Sequence, residues 1–239
     1  MRKHVMFAIL LSFLISTAMA ATVSISPEKI DPGDTVTVDV KGLSDGDTFS
    51  LSIGGEFDVN PGEEFAFIAR NLNLPFSLDS GEVSAYTRGT SWTGLSAKKG
   101  DSSLSLSNNA DEKGEFRTTQ PYNISSGTYE AITLDGRAAP TAGSIIAEMT
   151  MTGTKKGPSD GAISFALDGV ERGTATVAVY VDGSEALSRR IAIGSSSSGG
   201  SSGSGGNGGS RGSGGSGSSG SSAPAPATTS SVDGKGPLT

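Results

Sequence analysis

Alternation of apolar and polar side chains, renewed along the whole stretch from Thr22 to Ile193, restricts this chain to strands. TVSIS (22–26), TVTVDVK (35–41) and TFSLSI (48–53) each place every second side chain on one face, as half-buried strands do. The same period recurs at 64–70, 74–78, 82–87, 102–107, 115–120 and 128–134, and again at 144–153, 162–167, 174–181 and 185–193. Turn clusters separate the runs. DPGD (31–34) sets Pro32, with its fixed φ, before Gly33, which tolerates positive φ, and SDGD (44–47) is similar. Asp182-Gly183 joins the last two runs, and that dipeptide suits a type I′ hairpin turn. A helix needs apolar residues at three-and-four spacing over ten or more positions; the best window, 185–193, reads better as a strand beside its neighbours.

About a dozen short strands at regular spacing predict an all-β protein, an immunoglobulin-like antiparallel β-sandwich. The stretch 111–136 has the form of the end of such a unit, with Tyr129 placed to bury its ring at a corner and bond its hydroxyl to nearby backbone. The strand count admits one large sandwich or two small lobes divided near residue 140, at RAAPTAG. One sandwich over 21–193 is favoured, because 141–193 alone would make a very small core.

Three segments carry a resemblance: ATVSISPEKIDPGDTVTVDVKGL, YNISSGTYEAITLDG, and MTGTKKGPSDGAISFALDGVERGTATVAVYVDGSEAL. With them the chain resembles secreted, immunoglobulin-like β-sandwich cell-surface proteins of methanogenic archaea, over most of 21–193. The resemblance implies a cell-surface or extracellular module and brings no catalytic residues.

The first twenty residues are built differently. Arg2, Lys3 and His4 precede an apolar run from Val5 to Ile15, and Ala18 and Ala20 occupy the small-residue positions of a cleavage site. That is the pattern of a secretory signal cut after Ala20; the run is shorter than the roughly 20 residues of a spanning helix. The expected localisation is extracellular or at the cell surface, with no membrane insertion after cleavage. The chain has no cysteine, and its one histidine is His4. Ser-His-Asp triads, cysteine nucleophiles and the usual zinc sites are therefore outside the reach of the segment 21–239. Of 18 Lys and Arg and 25 Asp and Glu, four basic and one acidic residue fall outside 21–193, which leaves 14 against 24, a net of −10. Such a surface repels a phosphate backbone and anionic lipid, so nucleic acid is not an expected partner.

Carboxylates are the remaining catalytic groups. Two of them could hydrolyse a glycosidic bond, but no local motif singles out a pair, and the protein is expected not to be an enzyme and to need no cofactor. Matches to G-x-G-x-x-G at 203–208 and G-x-S-x-G at 208–212 lie in a Gly/Ser tract and follow from composition, without the strand and helix such motifs need. Asn109 and Asp111 with Gly114 stand at calcium-loop spacing. Lys113 occupies a ligand position, however, and Gln120 replaces the closing Glu, so a strand-linking turn is favoured and no metal is expected. Trp92, the one tryptophan, reads as core or, with Tyr86, as a ligand-stacking patch if 82–95 lines one face. Asn123-Ile124-Ser125 is an N-glycosylation sequon in an expected surface loop.

Residues 195–222 hold 12 Gly, 14 Ser, Asn207 and Arg211, a composition that predicts a disordered coil spanning roughly 30 Å. APAPATTSS (223–231) is stiffer, and SVDGKGPLT reads like the start of another module. The segment 194–239 is thus expected to be a tether. The leading expectation is a non-catalytic β-sandwich displayed for adhesion, envelope assembly or binding of a cell-envelope protein or glycan. Its alternatives are an accessory domain of a longer secreted enzyme and, third, a carboxylate-based glycoside hydrolase. The intact mass of native exported protein is expected to begin at Ala21 and to exceed the polypeptide mass by a glycan that Asn123→Gln removes.

Overall fold

The computed structural model describes residues 21–194. The expected signal segment and the tether beyond Gly194 lie outside the described residues. Fourteen strands succeed one another: β1 (Thr22–Ser26), β2 (Lys29–Ile30), β3 (Thr35–Lys41), β4 (Thr48–Asp58), β5 (Glu64–Leu74), β6 (Ser77–Arg88) and β7 (Thr90–Lys99), then β8 (Ser102–Asn109), β9 (Glu115–Pro121), β10 (Gly127–Ala138), β11 (Ser144–Lys156), β12 (Gly161–Asp168), β13 (Gly173–Val181) and β14 (Ser184–Ile193). No helix occurs among the described residues. One sheet has the order β1-β3-β12-β5-β10-β7-β8 and the second β2-β14-β13-β4-β11-β6-β9. Every pairing is antiparallel except the two-residue contact of β2 with β14. The chain is an all-β, antiparallel β-sandwich.

Strands from both sides of residue 140 share both sheets: β11 lies between β4 and β6, and β12 between β3 and β5. A division near 140 therefore separates nothing. The inner faces meet through the alternating apolar positions, with Val36, Val38 and Val40 of β3 and Phe49, Leu51 and Ile53 of β4 all buried. Phe57 stacks on Phe67 at 6.2 Å, and Phe49 meets Phe76 edge to face at 5.1 Å. Gly55 points inward because Phe67 fills its place; a Cβ there would come 2.9 Å from the ring.

The turns follow the chemistry of their residues. Gly33 has φ +89° in the DPGD turn, where the Asp34 amide donates to the Asp31 carbonyl at 3.0 Å. Asp182 and Gly183 both have positive φ, as a type I′ turn requires. Tyr129 is 2% exposed, and its hydroxyl donates to the Ser125 carbonyl at 3.3 Å, which is the corner expected of it.

One expectation needs correction, and one long strand lies outside the expected runs. The run 74–78 is not a strand: Leu74 ends β5, Ser77 begins β6, and Pro75-Phe76 carries the chain from one sheet to the other. Conversely, β7 has an inner face that begins with Thr90 and Thr93 before reaching Leu95 and Ala97. Those threonines are buried because they bond one another and Thr87, at 2.7 to 3.2 Å, so no polar atom is stranded.

Several carboxylates are tuned at the rims. Asp45 accepts from Lys155 Nζ at 2.8 Å and from the Gly157 amide at 2.8 Å, and these bonds hold its carboxyl below the usual 3.8. The Lys155 side chain itself is 1% exposed. The Arg70 guanidinium likewise lowers Asp168, and the Glu115 and Lys113 amides lower Asp111. A carboxyl whose pKa is depressed on folding contributes stability above its unfolded value and loses it as pH falls through the folded value. The urea midpoint is therefore expected to fall below about pH 4. Asp45→Asn should lower the midpoint at pH 7 and show a smaller further drop at pH 3 than the parent protein.

Candidate functional site

Outward-facing side chains of the second sheet line up in rows set by strand register. One row runs Arg190, Thr176, Gly54, Glu148, Tyr86, Arg117 across β14, β13, β4, β11, β6 and β9. The neighbouring row is Ser188, Ala178, Ser52, Thr150, Ser84, Thr119. Hydroxyls dominate, and the glycine at the centre leaves a gap. Over Gly54 lies a depression of about 320 Å³, walled by Glu148, Ile146, Thr176, Tyr180 and Arg190. A second hollow of about 250 Å³ lies over Ser84, walled by Tyr86, Arg117, Thr119, Thr150 and Glu148. Glu148 is common to both.

The polar groups of this face are held in place. Ser52 Oγ donates to Glu148 Oε1 at 2.6 Å, and Ser50 and Thr152 share a hydroxyl bond of 2.6 Å. The Tyr86 hydroxyl donates to Glu115 Oε1 at 3.3 Å, and the Arg117 guanidinium lies 3.9 Å from the centre of its ring. Burial, followed by the Glu115 charge, raises the Tyr86 phenol, so the ring is neutral at physiological pH. A fixed carboxylate, a field of hydroxyls, the Arg117-capped Tyr86 and the ring of Tyr180 make a surface that can exchange hydrogen bonds with a polyhydroxylated ligand and set aromatic edges beside it.

The structure separates the two aromatic residues expected to form one patch. Tyr86 belongs to β6 in the second sheet, and Trp92 to β7 in the first. Both point away from the core, so they lie on opposite outer faces of the sandwich. The reason is the connection at Gly89, where the chain crosses between sheets and does not form a hairpin; its amide donates to the Gly114 carbonyl at 2.9 Å. Trp92 is half-buried, opposite Arg137 on β10 and Asn109 on β8. Two residue pairs along, on the same face, Asp135 lies opposite Gly94, its carboxyl raised by burial and then by the Glu64 charge. Glu64 is itself bonded to Arg137 at 3.2 Å.

Asn123 is exposed in the loop between β9 and β10, anchored by buried Ile124, whose carbonyl accepts from the Leu78 amide at 2.8 Å. Asn109 ends β8, and Asp111 organises the turn into β9: its Oδ1 accepts from the Lys113 and Glu115 amides, each at 2.9 Å. Asp111 Oδ1 is thereby committed to the turn. Among the described residues no group of three or more acidic side chains is arranged to hold a metal. Two larger open clefts, of about 650 and 640 Å³, flank the loop Gly169–Arg172 at one end of the sandwich.

No family model matches this chain, and no curated protein matches it. The solved structures similar to it include Spo0M, a sporulation control protein from Bacillus subtilis, at 13% identity, with a match covering 73% of this chain and 49% of that one and a TM-score of 0.15. The match spans about half the length of Spo0M and carries no argument about this chain.

Sequence reasoning missed the Gly54 depression, because the expected strand stopped at Ile53 and left Gly54 and Gly55 off the sheet, although the alternation of Phe49, Leu51 and Ile53, carried two residues further, turns Gly55 inward and Gly54 outward. The two are not equivalent. A Cβ on Gly54 would meet nothing closer than 3.5 Å. Gly54→Thr is expected to keep the fold and gain about 0.5–1 kcal/mol, since glycine is a poor strand residue. Gly55→Ala should cost about 1–3 kcal/mol by overpacking against Phe67. Urea unfolding of the two variants checks both signs.

Proposed function

We propose that this protein is a non-catalytic, exported binding module that presents the outer face of its second sheet to a neutral, polyhydroxylated polymer, most simply a cell-envelope glycan. The observation that carries the reading is the open depression over Gly54, with its hydroxyl rows, its fixed Glu148 and its tyrosines. A mid-strand glycine with room for a side chain weakens a strand, and the space left over it suits a ligand. An extended sugar chain could cross the strands along the row from Arg190 to Arg117. The export signal read at residues 1–20 and the resemblance to secreted archaeal sandwich proteins support an extracellular or cell-surface location. The Gly/Ser-rich composition of 195–222 supports display on a tether. The net charge of −10 over 21–193 argues against nucleic acid and anionic lipid as partners. Among the described residues no helix is long and apolar enough to cross a membrane.

A second reading, carboxylate-based glycoside hydrolysis, draws on one observation only. Burial and Glu64 raise the Asp135 carboxyl on the face that carries Trp92. Turnover on a polysaccharide panel that disappears in Asp135→Asn would favour it.

Affinity electrophoresis through gels containing a panel of soluble envelope and plant polysaccharides tests the binding reading. At least one polymer should retard the protein, and Tyr86→Ala and Gly54→Thr should each weaken that binding by about tenfold or more, equivalent to 1.4 kcal/mol. Trp92→Ala, on the other face, should leave it unchanged. Binding lost in Trp92→Ala and kept in the other two would move the site to the first sheet and sink this assignment.

A further inference from the structure

The two sheets end in four edge strands, and three of them are protected. β2 is two residues long, β1 is five and runs into Pro27, and β9 carries Glu115, Arg117 and Pro121. The fourth, β8, has none of these defences. It is eight residues long, SSLSLSNN, with no charge, no proline and no break in its register against β7. It also overhangs the sandwich, because β9, the last strand of the second sheet, lies against β7. Leu104 and Leu106 pair with Ala97 and Leu95 and so face the inner side, yet both are only half-buried.

The strand has a symmetry of its own. Read outward from Ser105, it places Leu104 against Leu106 and Ser103 against Ser107. The hairpin from β7 turns through Gly100, at φ +54°, and Asp101, so Lys99 and Ser102 form its closing pair. Hydrogen bonding alternates from there. Ser102, Leu104 and Leu106 bond to β7, and the amides and carbonyls of Ser103, Ser105 and Ser107 point outward with no partner among the described residues.

We infer that β8 is the interface of a symmetric dimer, in which it pairs antiparallel with β8 of a second copy about a two-fold axis at Ser105. This pairing sets Ser105 opposite its own mate and Leu104 opposite Leu106 of the second copy. The outward amides and carbonyls of Ser103, Ser105 and Ser107 are then satisfied, and the two first sheets become one. A second copy fits this edge better than an unrelated strand because the residue pattern is its own complement, as an isologous contact demands. The absence of charge along β8 also lets two acidic molecules meet there without placing like charges opposite each other. One strand pair is a small contact, so the dimer is concentration-dependent.

Sedimentation velocity on the mature chain, 21–239, from about 1 µM to about 500 µM tests this directly. The wild type should shift from monomer towards dimer across that range. Ser105→Pro removes an outward amide that β7 does not use, so it should give a monomer throughout with an unchanged melting temperature. Ser105→Lys and Ser105→Glu, each placing like charges across the axis, should weaken self-association by tenfold or more. An equimolar mixture of the two charged variants should restore the dimer, which a merely misfolded variant could not do. A wild type that stays monomeric at the highest concentration overturns the inference. So does a dimer that survives Ser105→Pro and both charges, or one that depends on residues 195–239 and not on Ser105.

Discussion

Face-to-face burial of two large sheets is the interaction on which the rest of this molecule depends. With no cysteine in the chain, no covalent staple relieves the inner faces of that task. Every long strand must therefore keep its apolar residues on one side, and any register slip would turn them to water. The outer faces are free of this duty. Their side chains need only be compatible with solvent, and there the sequence can vary towards function. On the second sheet the outer face is built of hydroxyls around a gap; on the first it is built around Trp92, Asp135 and an Arg137–Glu64 pair.

Much of the fold could be read in the sequence because this burial imposes alternation. Strands β1 and β3 were legible to the residue, and the DPGD and Asp182-Gly183 turns declared their conformations through the few residues that tolerate them. The corner at Tyr129 was visible for a similar reason: a buried phenol needs a nearby acceptor, and the SSG segment supplies one at Ser125. Strand β7 was hidden because its inner face opens with threonines that satisfy one another, a device that depends on Thr87 from another strand. The short β2 leaves no periodic trace, since two residues have no period.

The site was harder to read, and for a different reason. Sequence proximity suggested that Tyr86 and Trp92 share a face, but six residues are enough for a chain to cross from one sheet to the other. Nothing in GTSW distinguishes a crossing from a hairpin; that depends on the Gly114 carbonyl, which accepts the Gly89 amide. The rows of the second sheet are still further out of reach. Arg190, Gly54 and Arg117 come from strands far apart in the chain and meet only through register. The turn role of Asp111, by contrast, was legible, because its side chain bonds within its own loop.

The interleaving of early and late strands has a consequence for how the molecule comes into being. Neither sheet is continuous until its interior is filled by strands synthesised after residue 144: β11 joins β4 to β6, and β12 joins β3 to β5. A nascent chain that has reached only β10 holds fragments with open edges and half-covered apolar faces. Completion of both sheets is deferred to the last third of the domain and proceeds through long-range closures, which are slow. Until β11 and β12 have been made, neither sheet can close, so both sheets wait on the same late stretch of chain.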